Sequence, residues 1–178
     1  MTVKFIIVTV LCSLLFLSCK EKEKSILEPT PQEPAIFIEG EYSNFAWGKV
    51  LGGSVIDNSG NVYTYDVIKA GKTWKSNESG YYTESELLNK FHSCDTLIKI
   101  ISRDSLEIAR HLAMQTTDNS YSSRICPGRD MGSAVISLYI FRSDSNKYKQ
   151  IVLDVSGDCS YHNQDPHAIE LVEWFRSH

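Results

Sequence analysis

The sequence predicts an α+β fold, a mainly antiparallel sheet with helices packed on one face, and three observations carry that prediction. Two stretches read as strand, polar turn, strand. Three others place apolar residues at helical spacing behind capping residues. Neither strand pair leaves room for a crossover helix between its members, which excludes a doubly wound parallel sheet. The 178 residues suffice for one ordinary domain, expected over residues 36–178.

Ile36-Phe37-Ile38 opens the domain, and Tyr42 to Gly48 then brings three aromatics (Tyr42, Phe45, Trp47), either for a core or for a binding surface. Ser54-Val55-Ile56 and Val62-Tyr63-Thr64-Tyr65 flank Asp57-Asn58-Ser59-Gly60-Asn61, a first hairpin. That turn has a superficial likeness to a calcium loop, but the twelfth position, where a bidentate glutamate belongs, is Ile68. Thr83 and Glu86 have the spacing of a capping box before Leu87, Leu88 and Phe91, so a short helix is expected there. Residues 95–101 can form a strand. Asp104 and Glu107 repeat the box ahead of a second helix running to about Thr116.

A long loop over 118–131 precedes the second hairpin, Val135–Phe141 and Lys149–Val155, whose continuous apolar runs point to burial on both faces. Asp165 is placed to cap a final helix with Pro166 in its first position and Ile169, Val172 and Phe175 on one face.

The net charge of −4 comes from 18 basic and 22 acidic side chains spread without a long run, so no nucleic-acid footprint is present. Charge is organised differently at the amino terminus. Lys4 precedes the apolar run Phe5–Leu17, too short for a span that needs roughly 20 residues, and Lys20-Glu21-Lys22-Glu23-Lys24 ends it. Residues 1–18 therefore read as a signal peptide. Pro29, Pro31 and Pro34 remove backbone donors from a stretch without apolar periodicity, so residues 19–35 are expected to act as a tether, up to about 50 Å over Lys20–Pro34 if fully extended.

Leu15-Phe16-Leu17-Ser18-Cys19 resembles the lipobox of bacterial lipoprotein precursors, with Phe16 departing from the leucine common at that position. The resemblance implies cleavage between Ser18 and Cys19, acylation of the Cys19 thiol, and a bilayer partner. The lipobox, lysine-glutamate pairs and prolines together look like surface or periplasmic lipoproteins of Gram-negative, Bacteroides-like bacteria, which implies a cell-envelope location on the outer membrane. The carboxyl-terminal pattern of hairpin, Gly157-Asp158, Asn163, Pro166 and a helix ending in Trp174-Phe175 resembles exported bacterial proteins.

One dense polar cluster, Asp158, Cys159, His162, Asp165 and His167, can be read in two ways. A small cysteine- or metal-dependent hydrolase using Cys159 and His162 is one reading. The favoured one is structural, and no phosphate loop, GxSxG elbow or HExxH accompanies the cluster. No metal or cofactor is therefore assigned. The leading functional expectation is a tethered binding, inhibitory or envelope-maintenance domain with a possible envelope protein as partner. Its candidate contacts are Tyr42, Trp47, Trp74, Tyr121 and Arg124, with Tyr81 and Tyr82, because aromatics and arginine concentrate interface energy.

With Cys19 acylated, Cys94, Cys126 and Cys159 remain in an oxidising compartment. A second-hairpin turn centred on Asp144-Ser145-Asn146 pairs residues whose numbers sum to about 290. That register brings Cys126 and Cys159 just past the open end of the ribbon, so a bond between them is expected. Cys94, near the stripe of Leu87, Leu88 and Phe91, is then expected to be a buried free thiol.

Overall fold

The computed structural model describes residues 35–46, 48–72, 74, 77–91 and 96–178. Residues from Pro34 to His178 form one compact unit. The expected signal peptide, Cys19, most of the tether, Trp47 and Cys94 lie outside the described residues.

The strands are β1 (Ile36–Asn44), β2 (Val50–Ile56), β3 (Asn61–Asp66), β4 (Tyr81–Tyr82), β5 (Thr96–Ile100), β6 (Ser133–Arg142), β7 (Lys147–Gly157) and β8 (Tyr161–His162). The helices are α1 (Glu84–Phe91), α2 (Arg103–Gln115) and α3 (Pro166–Ser177). All eight strands join one sheet in the order β4-β7-β6-β1-β2-β3-β5, with β8 lying on β7 beyond β4. Every strand pairing is antiparallel, so the expected class holds.

The first hairpin forms as expected, and its register sets Val55 opposite Tyr63 and Ile56 opposite Val62. In the second, Val135 faces Val155, a sum of 290. A bulge between Ile136 and Ser137 then shifts the sum to 289 for Leu138 and Ile151. Ile136 to Ile140 are all buried, because both faces of this ribbon are covered.

One face carries α2 and α3. Leu106, Ala109, Leu112 and Ala113 of α2 and Ala168, Leu171 and Val172 of α3 close over Ile36, Ile38, Leu138, Ile151 and Leu153. Burying an aliphatic side chain of this size contributes about 1.5–3 kcal/mol. The opposite face is not bare, as a sheet covered on one side only would be. There α1 places Leu87 and Phe91 against Phe37, Val55, Tyr65 and Tyr139. Alternation along β1 decides this, since Ile36 and Ile38 face one layer and Phe37 faces the other.

Helix termini show where local signals are read correctly. The box at α1 is reciprocal: Glu86 Oε2 accepts from the Thr83 N–H at 2.7 Å, and Thr83 Oγ1 accepts from the Glu86 N–H at 3.3 Å. Asp165 caps α3 by accepting from the His167 N–H. At α2 the cap is Ser102 rather than Asp104; its hydroxyl accepts from Ser105 N–H, while Asp104 sits in the first turn near the positive end of the helix dipole. The buried stripe of α3 is Ala168, Leu171, Val172 and Trp174, and Ile169, expected inside, is 42 % exposed. Ala168 leads the helical series 168, 171, 172, 175, and an alanine start is invisible to a reading that looks for large apolar residues.

Among the described residues no helix is long and apolar enough to cross a membrane.

Candidate functional site

The chain between α2 and β6 forms a strap, residues 117–132, fastened along its whole length. At its start, Thr117 donates from N–H and hydroxyl to Asp165 Oδ2 at 3.0 and 2.7 Å, and the fully buried Asn163 donates to Thr117 O at 2.6 Å. In its middle, the strap runs antiparallel to the segment around β8, with Ser122 N–H donating to His162 O and Ile125 exchanging two hydrogen bonds with Ser160. At its end, Cys126 is disulfide-bonded to Cys159, as the hairpin register predicts. Met131 N–H then donates to Asp158 Oδ1 at 2.8 Å.

Glycine makes that last closure possible. Gly157 has φ +115°, and a Cβ there would lie 2.1 Å from the carbonyl oxygen of Gly132, so only hydrogen lets the two turns pass.

The strap's outer surface combines groups that bury well with a cation. Tyr121 meets Tyr161 edge-on at 6.1 Å, and the Arg124 guanidinium lies 5.8 Å from the same ring's centroid. Ile125 is 64 % and Met131 59 % exposed on the same strap. Tyr42, at the end of β1, donates its hydroxyl to Met131 O at 3.2 Å, and Phe45 beyond it is exposed. Three of the expected contact residues, Tyr42, Tyr121 and Arg124, therefore lie on or against one disulfide-closed segment. Trp74 does not join them. It stacks on Tyr82 at 5.6 Å among the side chains of the α1 layer, and Tyr82 itself is buried. Ile125, Met131 and Tyr161 are additions that the sequence reading lacks; each lies within a few residues of a cysteine, which is the signal that a search of disulfide-flanking positions would use.

The strap also has a definite place on the molecule. β1 begins at Ile36 and ends beside Gly132 and Met131, eight residue steps or about 26 Å away. The end of the sheet that displays Tyr42, Phe45 and Met131 is thus opposite the end at which the chain enters.

The polar cluster 158–167 is dispersed into structural duties. The Cys159 sulfur is bonded and can neither attack nor ligate. Asp158 holds the strap, Asp165 holds a helix and Thr117, and His167 contacts Asp165 at 3.2 Å. Among the described residues no three His, Cys, Asp or Glu side chains converge on a metal position. Burial presses the Asp165 carboxyl upward, but hydrogen bonds from Thr117 and His167 outweigh it and hold it below the usual range. A depressed carboxylate stabilises above its ordinary value of 3.8, and that share is lost as pH falls through the lowered one. Asp165→Ala is expected to cost about 1–2 kcal/mol and to speed amide exchange in the strap's first residues. Unchanged exchange there would show that the cap and strap are independent.

A second constellation is buried rather than displayed. Lys90 of α1 reaches Glu39 Oε1 and Glu41 Oε2 of β1 at 2.6 Å each, with side-chain exposures of 3 % for Lys90 and 2 % for Glu39. Tyr65 donates to Glu39 Oε1 and Tyr139 to Oε2, and Trp74 presents its ring 4.9 Å from the ammonium. Burial pulls the Lys90 ammonium downward, yet Glu39 and Glu41 more than offset it and raise its pKa above the ordinary value. Burial pushes Glu41 up, with Lys90 opposing. Tyr65 and Tyr139 are both pushed far up, by burial first and by Glu39 second. Lys90, Glu39, Tyr65 and Tyr139 each meet a partner from another element, so the cluster locks α1 and β3 onto β1 and β6.

Comparison with protein-family models finds none that matches the chain, and neither a curated protein nor a solved structure matches it.

Proposed function

We propose that this protein is an extracytoplasmic lipoprotein, anchored through acylated Cys19, whose domain binds an envelope protein through the disulfide-closed strap. The observation that carries the reading is the exposure of Tyr121, Arg124, Ile125 and Met131 on a segment already fixed by a covalent bond. Tyrosine and arginine dominate interface energetics, and a pre-ordered loop loses little entropy on binding. With Cys159 bonded, the cysteine-hydrolase alternative has no thiolate to use.

Two experiments test the two halves separately. Capture from envelope extract with the lipidated protein should yield a specific partner, and Tyr121→Ala with Arg124→Ala should reduce its recovery by at least about tenfold, since two anchors at about 1 kcal/mol or more each exceed 1.4 kcal/mol together. Undiminished capture by that double variant would sink the strap as the contact. Cys19→Ala should leave unprocessed precursor without acyl chains, detected by mass spectrometry; recovery of normally acylated product would reject the anchor.

A further inference from the structure

The two faces of the sheet are covered unequally. Across its seven strand positions the sheet is about 29 Å wide, whereas α1, with eight residues, is about 12 Å long. Leu88 and Phe91 of α1 lie beside Phe37 and Val55 at the end of the sheet where the β2-β3 turn lies. A cleft of about 270 Å3 remains there. Phe37, Val55 and Phe91 form its floor, Tyr63 and Leu88 its half-buried walls, and the turn residues Asp57, Asn58 and Ser59 its rim.

We infer that this cleft is a binding site for a small uncharged aromatic molecule carrying one hydrogen-bonding group, such as an aryl alcohol or amide. At the ~30 Å3 that a water occupies in the liquid, the volume corresponds to about nine waters, so it fits a ligand of roughly ten non-hydrogen atoms. Phe37, Val55 and Phe91 are 6, 2 and 2 % exposed and close the base, so the half-buried Tyr63 ring and the Leu88 side chain present the contact surface, and the flat tyrosine ring favours an aromatic body over a linear one. The rim decides the polar end. Asp57 is fully used inside the turn, where Oδ1 accepts from the Ser59 and Asn61 N–H groups and Oδ2 from Asn61 Nδ2. Asn58 Oδ1 accepts from Ile36 N–H. The Asn58 amide nitrogen and the Ser59 hydroxyl are thus the groups left to meet a ligand, and both can donate. The fixed Asp57 carboxylate beside them repels an anion, which selects a neutral acceptor over a carboxylate. This site is at the opposite end of the sheet from the Met131 end of the strap, and it does not depend on the strap's role.

The test uses the full chain in phospholipid nanodiscs, with methyl resonances of Val55 and Leu88 followed as 2-phenylethanol is added. Saturable shifts with a dissociation constant in the millimolar range or tighter are expected, as are about tenfold weaker shifts with phenylacetate. Asp57→Asn, which keeps the Oδ1 acceptor, should narrow the difference between the two probes. Leu88→Trp, which fills the cleft from its wall, should remove saturation at Val55. Absence of saturable shifts in the native chain, equal binding of phenylacetate, or undiminished binding by Leu88→Trp would each overturn the assignment.

Discussion

Replacing Lys90 by methionine is expected to lower the unfolding free energy by about 3–5 kcal/mol. The reason lies in what remains. Methionine fills the volume, but Glu39 keeps a buried carboxylate, 2 % exposed, whose cation is gone. Adding Glu39→Gln and Glu41→Gln should recover part of the loss, because it removes stranded charge while preserving shape and most hydrogen bonds. Urea midpoints at unchanged slope give the measurement. A loss below about 1 kcal/mol, the level of an exposed ion pair, would mean that Lys90 does not neutralise this core.

The same cluster sets an alkaline limit. Lys90, Tyr65 and Tyr139 all have raised pKa values, so the fold holds their protons more tightly than the unfolded chain does. Their contribution is complete below the ordinary values of 10.0 for tyrosine and 10.5 for lysine, and it is lost as pH rises beyond them towards the folded-state values. The urea midpoint should therefore begin to fall near pH 10, and Tyr65→Phe should make that fall shallower.

Removal of the disulfide by the Cys126→Ser, Cys159→Ser double variant is expected to cost about 4 kcal/mol, the chain-entropy value for a closed loop of 33 residues. The effect should be uneven along the strap. Thr117 to Ile125 retain their hydrogen bonds to Asp165, His162 and Ser160, whereas residues 126–131 keep chiefly the Asp158 contact. Amide exchange should rise in residues 126–131 and change little near Ser122. A uniform rise along the strap would show that the disulfide supports its whole length. Partner capture should fall with the loss of pre-ordering even though Tyr121 and Arg124 are intact.

Some of this structure is legible residue by residue. The register of the second hairpin follows from one turn and two apolar runs, and it correctly brings Cys126 to Cys159 although one bulge intervenes. Tyr121 and Arg124 can be singled out by residue type, but their neighbour Tyr161 comes from a strand forty residues later. The ion cluster is not legible. Glu39 and Glu41 alternate with Ile36 and Ile38 along β1, and only the α1 layer over their face buries Glu39, while nothing in the α1 stripe identifies Lys90 as their cation. Trp74 resembles a surface anchor in sequence and belongs instead to the layer over that cation.

What the sequence determined by itself were the features governed by neighbours along the chain: turn positions, the Thr83 and Asp165 caps, strand alternation, the α+β class, and the hairpin register that implies the disulfide. Only the tertiary structure decided which sheet face α1 covers, that Lys90 meets two glutamates from β1, and that a cleft lies between α1 and the β2-β3 turn. Local pattern fixes which way a side chain faces, because periods of 2 and 3.6 residues act over a few positions. What it faces depends on the stacking of layers brought together from distant parts of the chain, and no period along the chain records that.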